Sequence, residues 1–343
     1  MGKGYLFYYN RMTKWEQSVY DQLLRSFEVL EPKVRVPKMP VKDISDIYMQ
    51  MKLDNPMLFY VTSFSMRISP QGDHMEVIPE YMFKKDKIQT QKKGLDARLI
   101  KLLRPLMGLT PEEKEKAIHD FICENVTYDK LKKSYSHEVI GTLTQGIGVC
   151  EGIAKTVKLF CDELGIECVV ALSENDPEKG IVYRHAWNVL KIGGKWVHLD
   201  ATFDSSLKKY GTVRYDYYNV SDKVIFRDHC PLVYPVPPCG DDSAFYYRKA
   251  GLSFTKAEDV QKRVRQAVRK KQKFFTFHWR GGYLTAKVIE ELSPLIAEAA
   301  AEKGKSVRMS FNFASSVLHL LFEDAERGFS VQPEEADESV REE

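Results

Sequence analysis

The dipeptide Gly193-Gly194 constrains the fold of this chain more than any other feature of its sequence. It separates two predicted strands, residues 185–192 and 195–203. A two-residue turn between antiparallel strands favours positive φ at its central positions, and glycine adopts positive φ without steric cost. The sequence therefore predicts a β-hairpin in which Ile192 pairs with Lys195. This pairing fixes which residues face each other along both strands.

The register of this hairpin brings a base and an acid together. Counting back from the turn, Trp187 faces Asp200 and His185 faces Thr202, so His185 and Asp200 are diagonal neighbours on one face. Such pairs lie about 7–8 Å apart by backbone, within reach of an imidazole and a carboxylate. Asp200 can then accept a hydrogen bond from one ring nitrogen of His185, while the other nitrogen takes a proton.

Other side chains of the hairpin leave alternatives open. His198 lies on the same face as His185, but it faces Val189 and has no diagonal carboxylate on the facing strand, so we rank it below His185. Trp187 and Trp196 either line a substrate groove or pack within the hairpin.

Cys150 is the candidate nucleophile. It begins a predicted helix whose apolar stripe runs to Leu164 and which Gly165 ends as a C-cap. The amides and positive dipole of a helix N-terminus favour a thiolate, which is the form that attacks a carbonyl. The backbone N–H of Cys150 is placed to bind an oxyanion, and Gln145 is a candidate second donor.

Glycines and further cysteines surround this position. Gly146, Gly148 and Gly152 are expected to leave room for a substrate backbone. For any single cysteine the simpler interpretation is a buried thiol, and we interpret Cys161 and Cys168 in that way.

These segments resemble the transglutaminase-like superfamily over residues of about 110–230. The motifs are residues 148–154 (GVCEGIA), 185–189 (HAWNV), 195–203 (KWVHLDATF) and 122–129 (ICENVTYD). Residues 215–222 (YDYYNVSD) and 227–229 (RDH) are similar to an extension common in bacterial members.

The resemblance implies a papain-like α+β core, in which a cysteine-bearing helix packs on an antiparallel sheet. It implies Cys150 as nucleophile, His185 as general base and Asp200 as the residue that orients the base. Members include transglutaminases, cysteine peptidases and peptide N-glycanases, and some have lost activity. The cysteine pairs that bind zinc in peptide N-glycanases are absent from this sequence, as is a calcium-loop pattern.

The sequence predicts four regions: a helix-plus-sheet region (1–108), a transglutaminase-like catalytic domain (109–240), a small α/β region (241–331) and an acidic, disordered tail (332–343). A capping box at Thr110-Pro111-Glu112-Glu113 predicts the first helix of the catalytic domain. Further helices are expected at 12–30, 256–271 and 285–303, and strands at 58–61, 74–78, 166–172, 273–279, 306–313 and 317–322.

Composition excludes several classes of function. A net charge of +3 gives no reason to expect a nucleic-acid partner, and the basic run 262–273 is interpreted as a solvated helix face. No stretch is long and apolar enough for a membrane span, and the N-terminus lacks a signal-peptide pattern, so a cytoplasmic protein with unpaired cysteines is expected. No nucleotide-binding motif is present, no cofactor or metal is expected, and residues 228–230 are too close together to surround one ion.

The sequence thus predicts an enzyme that acts on peptide or protein substrates. The expected reaction is thiol-dependent acyl transfer at an amide, of the cysteine-peptidase or transglutaminase kind, through Cys150, His185 and Asp200. The alternative is a peptide-binding or scaffold protein that keeps the fold without turnover.

Overall fold

The computed structural model describes residues 4–69, 72–181, 183–208, 211–325 and 330–331, so the predicted tail lies outside the described residues. The chain divides into two compact units that alternate along the sequence. The first unit comprises Met1–Ser173, His185–Trp196 and Leu232–Pro237, and the second Glu174–Arg184, Val197–Pro231 and Pro238–Glu343. The sequential boundaries at 108 and 240 stay a prediction.

The first unit begins with three helices and a small antiparallel sheet. The helices are α1 (Lys14–Glu28), α2 (Val41–Asp54) and α3 (Lys85–Leu103). The strands are β1 (Val34–Pro37), β2 (Val61–Ile68) and β3 (His74–Tyr81), in the order β1-β3-β2. The predicted strand at 58–61 is wrong, because Pro56–Leu58 form a 3-10 turn and only Val61 belongs to β2. Proline at the first position of a helical turn explains this difference, since its fixed φ suits that position.

The remaining elements of the first unit carry the predicted nucleophile and base. They are α4 (Pro111–Asn125), β4 (Thr127–Tyr128), β5 (Ile147–Gly148), α5 (Cys150–Leu164), β6 (Cys168–Ser173) and β7 (His185–Ile192). Strands β6 and β7 are antiparallel, and α5 packs against both. The predicted cysteine-bearing helix on an antiparallel sheet is therefore confirmed, as is the capping box at Thr110 and Glu113.

The glycine turn has the predicted backbone conformation, but the strand that follows it is shorter than predicted. Gly193 and Gly194 have φ of +56° and +79°, as a type I′ turn requires. The next strand, β8 (Lys195–Leu199), ends before Asp200, and α6 (Ala201–Leu207) follows at once. Thr202 therefore lies in a helix, and the register counted as far as that residue is wrong. Asp200 ends the strand because its carboxylate caps the helix.

The second unit continues with β9 (Tyr218–Val220), α7 (Asp222–Ile225) and α8 (Tyr246–Lys249). Strand β9 pairs antiparallel with β8. Arg214 and Asp216, which precede β9 in the sequence, form a buried ion pair, and neither side chain is exposed. Arg214 donates from both Nε and Nη2 to the carboxylate, and the hydroxyl of Tyr247 donates to Asp216 as well.

The C-terminal part of the second unit has its own core. Its elements are β10 (Ser253–Phe254), α9 (Ala257–Arg269), β11 (Phe274–Trp279), α10 (Ala286–Ala301), β12 (Lys305–Asn312), β13 (Val317–Asp324) and β14 (Ser330–Val331). The sheet order is β10-β11-β13-β12-β14, antiparallel in the centre and parallel at both edges. Helices α9 and α10 pack together and supply the apolar side chains that cover this sheet. The predicted helices and strands of this region are confirmed to within about three residues at each end.

The basic run lies mostly on α9. Val260, Val264 and Val268 are buried on one side of this helix, and Arg265 pairs with Glu302 at 2.6 Å. Arg263, Lys270 and Lys273 line a cavity of about 560 Å³ together with aromatic rings. Lys262, Arg269 and Lys271 are exposed, which agrees with the interpretation of the run as a solvated helix face.

Two further observations concern the described residues. None of their helices is both long and apolar enough to cross a membrane. The six cysteines are not joined in disulfides.

The Arg214–Asp216 pair gives a first prediction. We expect Arg214→Ala to lower the free energy of unfolding by about 3–5 kcal/mol, because it leaves a buried carboxylate without its cation. Urea titration followed by circular dichroism measures this change.

The matched control is Arg248→Ala, whose side chain is 35% exposed and pairs with Asp242 at 3.5 Å. That change should cost about 0–1 kcal/mol. Equal costs for the two variants would contradict the assignment of Arg214 as a buried anchor.

Candidate active site

Cys150 is the first residue of α5, as predicted, and its side chain is buried with 2% exposure. The cap residue, Val149, has no polar side chain that could bond to the amides of the first turn. Because Cys150 is the first residue of the helix, its sulfur lies near the positive end of the helix dipole, which favours the negatively charged thiolate.

The glycines around Cys150 make room for the chain itself. A Cβ on Gly152 would lie 2.1 Å from the carbonyl oxygen of Ser136, and one on Gly148 would lie 2.6 Å from Thr142. Gly146 has φ of +67°, a turn conformation that glycine adopts without strain. The expectation that Gly148 and Gly152 make room for a substrate backbone is therefore wrong, because segments of the protein occupy these spaces.

His185 is the first residue of β7 and is 2% exposed. Asn188, three residues further along, shows how the strand is held. The Asn188 amide donates at 2.9 Å to the carbonyl of Ala154, one turn after Cys150. This hydrogen bond joins the strand that carries His185 to the helix that carries Cys150, within one unit.

The two residues predicted for oxyanion or substrate binding lie in different surroundings. Trp187 is 1% exposed and stacks on His185, with ring centroids 6.2 Å apart and planes at 13°. This arrangement favours the packing alternative for Trp187. Gln145 is exposed at the end of the π-helical turn Gly141–Gln145, and its amide donates to Thr144. Roles for both residues in binding stay predictions.

A cluster of buried charges supports the start of α5. Glu138 accepts from Lys52 at 2.8 Å and from Lys155 at 3.0 Å, and Lys155 also pairs with Glu151 at 2.6 Å. Burial lowers the pKa of Lys52 to about 8, although Glu138 opposes this shift. For Lys155, burial is outweighed by the charges of Glu138 and Glu151, which raise its pKa. We call Lys52, Glu138, Glu151 and Lys155 the charge cluster.

Asp200 belongs to the second unit and is the N-cap of α6. Its Oδ1 accepts from the amides of Thr202 at 2.8 Å and Phe203 at 3.1 Å. Its Oδ2 lies 2.9 Å from Nε2 of His229. The carboxylate is thus held at both oxygens, and it is 1% exposed.

His229 is the residue that the sequence analysis missed at this position. Its ring lies between two carboxylates, because Nδ1 lies 2.6 Å from Oδ1 of Asp228 and Nε2 contacts Asp200. Burial would lower the pKa of His229, but the charge of Asp228 and the hydrogen bonds to both carboxylates raise it to about 9. His229 is therefore positively charged at neutral pH.

His198, ranked below His185 in the sequence analysis, has a carboxylate partner after all. Its Nε2 lies 2.8 Å from Oδ1 of Asp222, the first residue of α7. Burial lowers the pKa of His198, and Asp222 opposes this shift. Strand pairing alone could not reveal Asp222, because it reaches His198 from a helix and not from the facing strand.

The atoms of His198, Asp222 and Cys239 that could bind a metal lie within 4.8 Å of one another. The two carboxylate oxygens of Asp222 are however bonded to His198 and to the amide of Cys239. Burial, followed by the charge of Asp222, raises the pKa of the Cys239 thiol, which disfavours the thiolate that a metal needs. We interpret the three residues as a structural cluster.

Close packing at Gly152 gives the second prediction. Gly152→Ala should lower the free energy of unfolding by about 1–3 kcal/mol, because the new methyl group collides with the backbone of Ser136. Urea titration at neutral pH checks this.

The control for that variant is Gly94→Ala. Gly94 lies within α3, and a Cβ there meets no atom within 4 Å. Alanine should stabilise this helix by up to about 1 kcal/mol. A Gly152→Ala protein as stable as the wild type would show that α5 can move away from Ser136.

The charge on His229 gives the third prediction. A histidine whose pKa is raised on folding stabilises the protein fully below its ordinary pKa near 6.5, and the effect disappears as the pH rises through about 9. Between pH 6 and pH 9.5 the wild type should lose about 3 kcal/mol more stability than His229→Gln. Urea titrations of both proteins at the two pH values measure this difference, and parallel pH curves would contradict the assignment.

Residues 102–201 match the model of the Transglutaminase-like superfamily. The human protein named kyphoscoliosis peptidase is 26% identical over 162 residues, which cover 41% of this chain and 24% of that protein. Its mouse counterpart is 25% identical over 162 residues, with the same coverage. This chain thus spans about a quarter of the length of these curated relatives.

Two solved structures are also similar. A proposed cysteine protease from Cytophaga hutchinsonii is 17% identical with a TM-score of 0.27, and the match covers 41% of this chain and 62% of that one. A structure described as a TGase is 13% identical with a TM-score of 0.29, covering 57% of this chain and 55% of the other. With both TM-scores below 0.5, we infer nothing about function from them. Residues 102–201 of this chain are thus similar to the transglutaminase-like superfamily, as the sequence motifs predict.

Proposed function

We propose that the protein catalyses thiol-dependent acyl transfer at amides of peptides or proteins. The observation that carries this proposal is the position of Cys150 at the N-terminus of α5, packed on the strand that begins with His185. A helix N-terminus favours the thiolate, and a neighbouring imidazole is the base that a thiol nucleophile needs.

In the proposed mechanism His185 removes the proton of the Cys150 thiol, and the sulfur attacks the carbonyl carbon of the amide. The C–N bond breaks while the imidazolium of His185 gives its proton to the leaving amine, and a thioester with Cys150 remains. Water or a second amine then attacks the thioester. His185 takes a proton from this acceptor, and the thiol is released. Asp200 is proposed to orient His185 and to stabilise its charged form.

The choice between hydrolysis and transfer depends on the second acceptor. The curated relatives are named peptidases, which favours water and a peptide bond for this chain too. The match of residues 102–201 supports the reaction class and not the choice of acceptor.

The fourth prediction tests the nucleophile. We expect Cys150→Ala to abolish both peptide cleavage and amine incorporation when a mixed peptide digest is incubated with and without a fluorescent primary amine. Mass spectrometry of the peptides detects cleavage, and fluorescence of the modified peptides detects transfer.

The matched control is Cys161→Ala, on the same helix. Burial, together with neighbouring Cys168, raises the pKa of Cys161 well above its ordinary value, so this thiol is not a nucleophile at neutral pH. Its replacement should leave the reaction unchanged.

Asp200→Asn tests the acid without removing the helix cap, because asparagine caps helices as well as aspartate. The rate should fall by about 100-fold or more if the charge of Asp200 serves His185. If the wild type and Cys150→Ala give the same products at the same rate, the enzyme proposal fails and a peptide-binding scaffold becomes the better explanation.

A further inference from the structure

The ring of His229 bridges two carboxylates in the second unit. Nε2 lies 2.9 Å from Oδ2 of Asp200, and Nδ1 lies 2.6 Å from Oδ1 of Asp228. None of the His229 side chain is exposed. A doubly protonated imidazole donates from both nitrogens, which is the only form that satisfies both acceptors at once.

Neighbouring rings and carboxylates fix the orientation of His229. The ring of Phe203 lies 4.8 Å away at 62°, and the ring of Tyr217 lies 5.4 Å away at 42°. The Tyr217 hydroxyl donates to the second oxygen of Asp228, so that carboxylate is held too. Titratable groups of the second unit that act on this ring include Asp200, Asp228, Tyr217 and His198.

The two carboxylate oxygens of Asp200 have different partners, and only Oδ2 contacts His229. Oδ1 accepts the two amides at the start of α6, which fixes the position of that oxygen. Oδ2 is held by His229. The carboxylate is therefore held at both of its oxygens.

We propose that His229 is a positioning residue of the proposed active site, whose protonated ring holds Oδ2 of Asp200 in one orientation. This inference rests on the proposed function, in which Asp200 orients His185. His229 touches no reacting atom in this scheme. It acts through Asp200, and Asp228 keeps its ring protonated and correctly turned.

Two substitutions of His229 distinguish the roles of its two ring nitrogens. The amide nitrogen of glutamine can take the place of Nε2, so His229→Gln keeps a donor to Asp200. The shorter side chain of asparagine takes the place of Nδ1, so His229→Asn keeps only the contact with Asp228. Both variants remove the charge, and they therefore differ mainly in the hydrogen bond to Asp200.

The readout is the alkylation of Cys150 by iodoacetamide in the full-length protein at pH 6.5, measured for each cysteine by mass spectrometry. Alkylation requires the thiolate, and the thiolate requires an oriented His185. Partly exposed Cys230 serves as the reference in the wild type, and each variant is compared with the wild type. We expect His229→Asn to slow labelling of Cys150 by about tenfold or more, as for loss of a hydrogen bond to a charged group. His229→Gln should stay within about threefold of the wild type, since it restores the donor.

Each outcome decides the question. If Cys150 is labelled at the same rate in both His229 variants and in the wild type, the proposed role of His229 is overturned. It is also overturned if labelling slows equally in both variants, because the donor at Nε2 would then have no effect. If Cys150 of the wild type labels no faster than Cys230, and Asp200→Asn labels as the wild type does, then the proposed function itself fails. A fast wild type with a slow Asp200→Asn and an unchanged His229→Asn overturns the present proposal alone.

Asp228→Asn provides a second test that does not depend on the folding of the His229 variants. Asparagine still accepts from Nδ1 but lacks the negative charge that raises the pKa of His229. At pH 6 the ring should remain protonated, and labelling of Cys150 should match the wild type. At pH 8 the neutral ring keeps its proton on Nδ1 and turns a lone pair towards Asp200, so labelling should fall by about tenfold. The same ratio of variant to wild type at both pH values would overturn the proposal.

Discussion

The charge cluster around Glu138 supports the first turn of the helix that carries Cys150. Glu138 binds lysines from two elements that are distant in sequence, Lys52 of α2 and Lys155 of α5. Removing one partner would leave a buried charge uncompensated, which typically costs about 3–5 kcal/mol. Since Lys155 also binds Glu151, the residue after Cys150, the cluster holds the first turn of α5 from one side. The carbonyl of Ser136 packs against the same turn at Gly152.

Asp200 serves the fold as a helix cap, and in the proposed mechanism the same side chain serves the chemistry. Through Oδ1 it starts α6, and through Oδ2 it binds the ring of His229. A carboxylate with several fixed donors does not need to reorganise when a neighbouring group gains charge. Preorganisation of this kind is a main source of electrostatic catalysis in enzymes, and in the mechanism that we propose a helix cap provides it.

Local sequence signals predicted the elements of the site, whereas contacts between distant segments could not be predicted. The helix at Cys150, the cap at Thr110 and the glycine turn all follow from short-range rules, and the structure agrees with them. The prediction that the strand continues through Asp200 was wrong, because the Asp200 carboxylate caps a helix there and capping outweighs the β-propensity of the following residues. His229 lies 29 residues after Asp200, and no periodicity joins the two. The motif at residues 227–229 draws attention to His229 but does not reveal its partner Asp200.

The alternation of the two units along the chain has a consequence for biosynthesis. The first unit includes Leu232–Pro237, so its chain is incomplete until this segment has left the ribosome. Domains made of one continuous segment can fold from the N-terminus while synthesis continues. Here Tyr234, which contacts Tyr8 and Asp46, is synthesised after α1 to α5, so these contacts form only once residues 232–237 have been made. The first unit therefore completes its tertiary contacts late in translation, after most of the interleaved segments of the second unit have been synthesised.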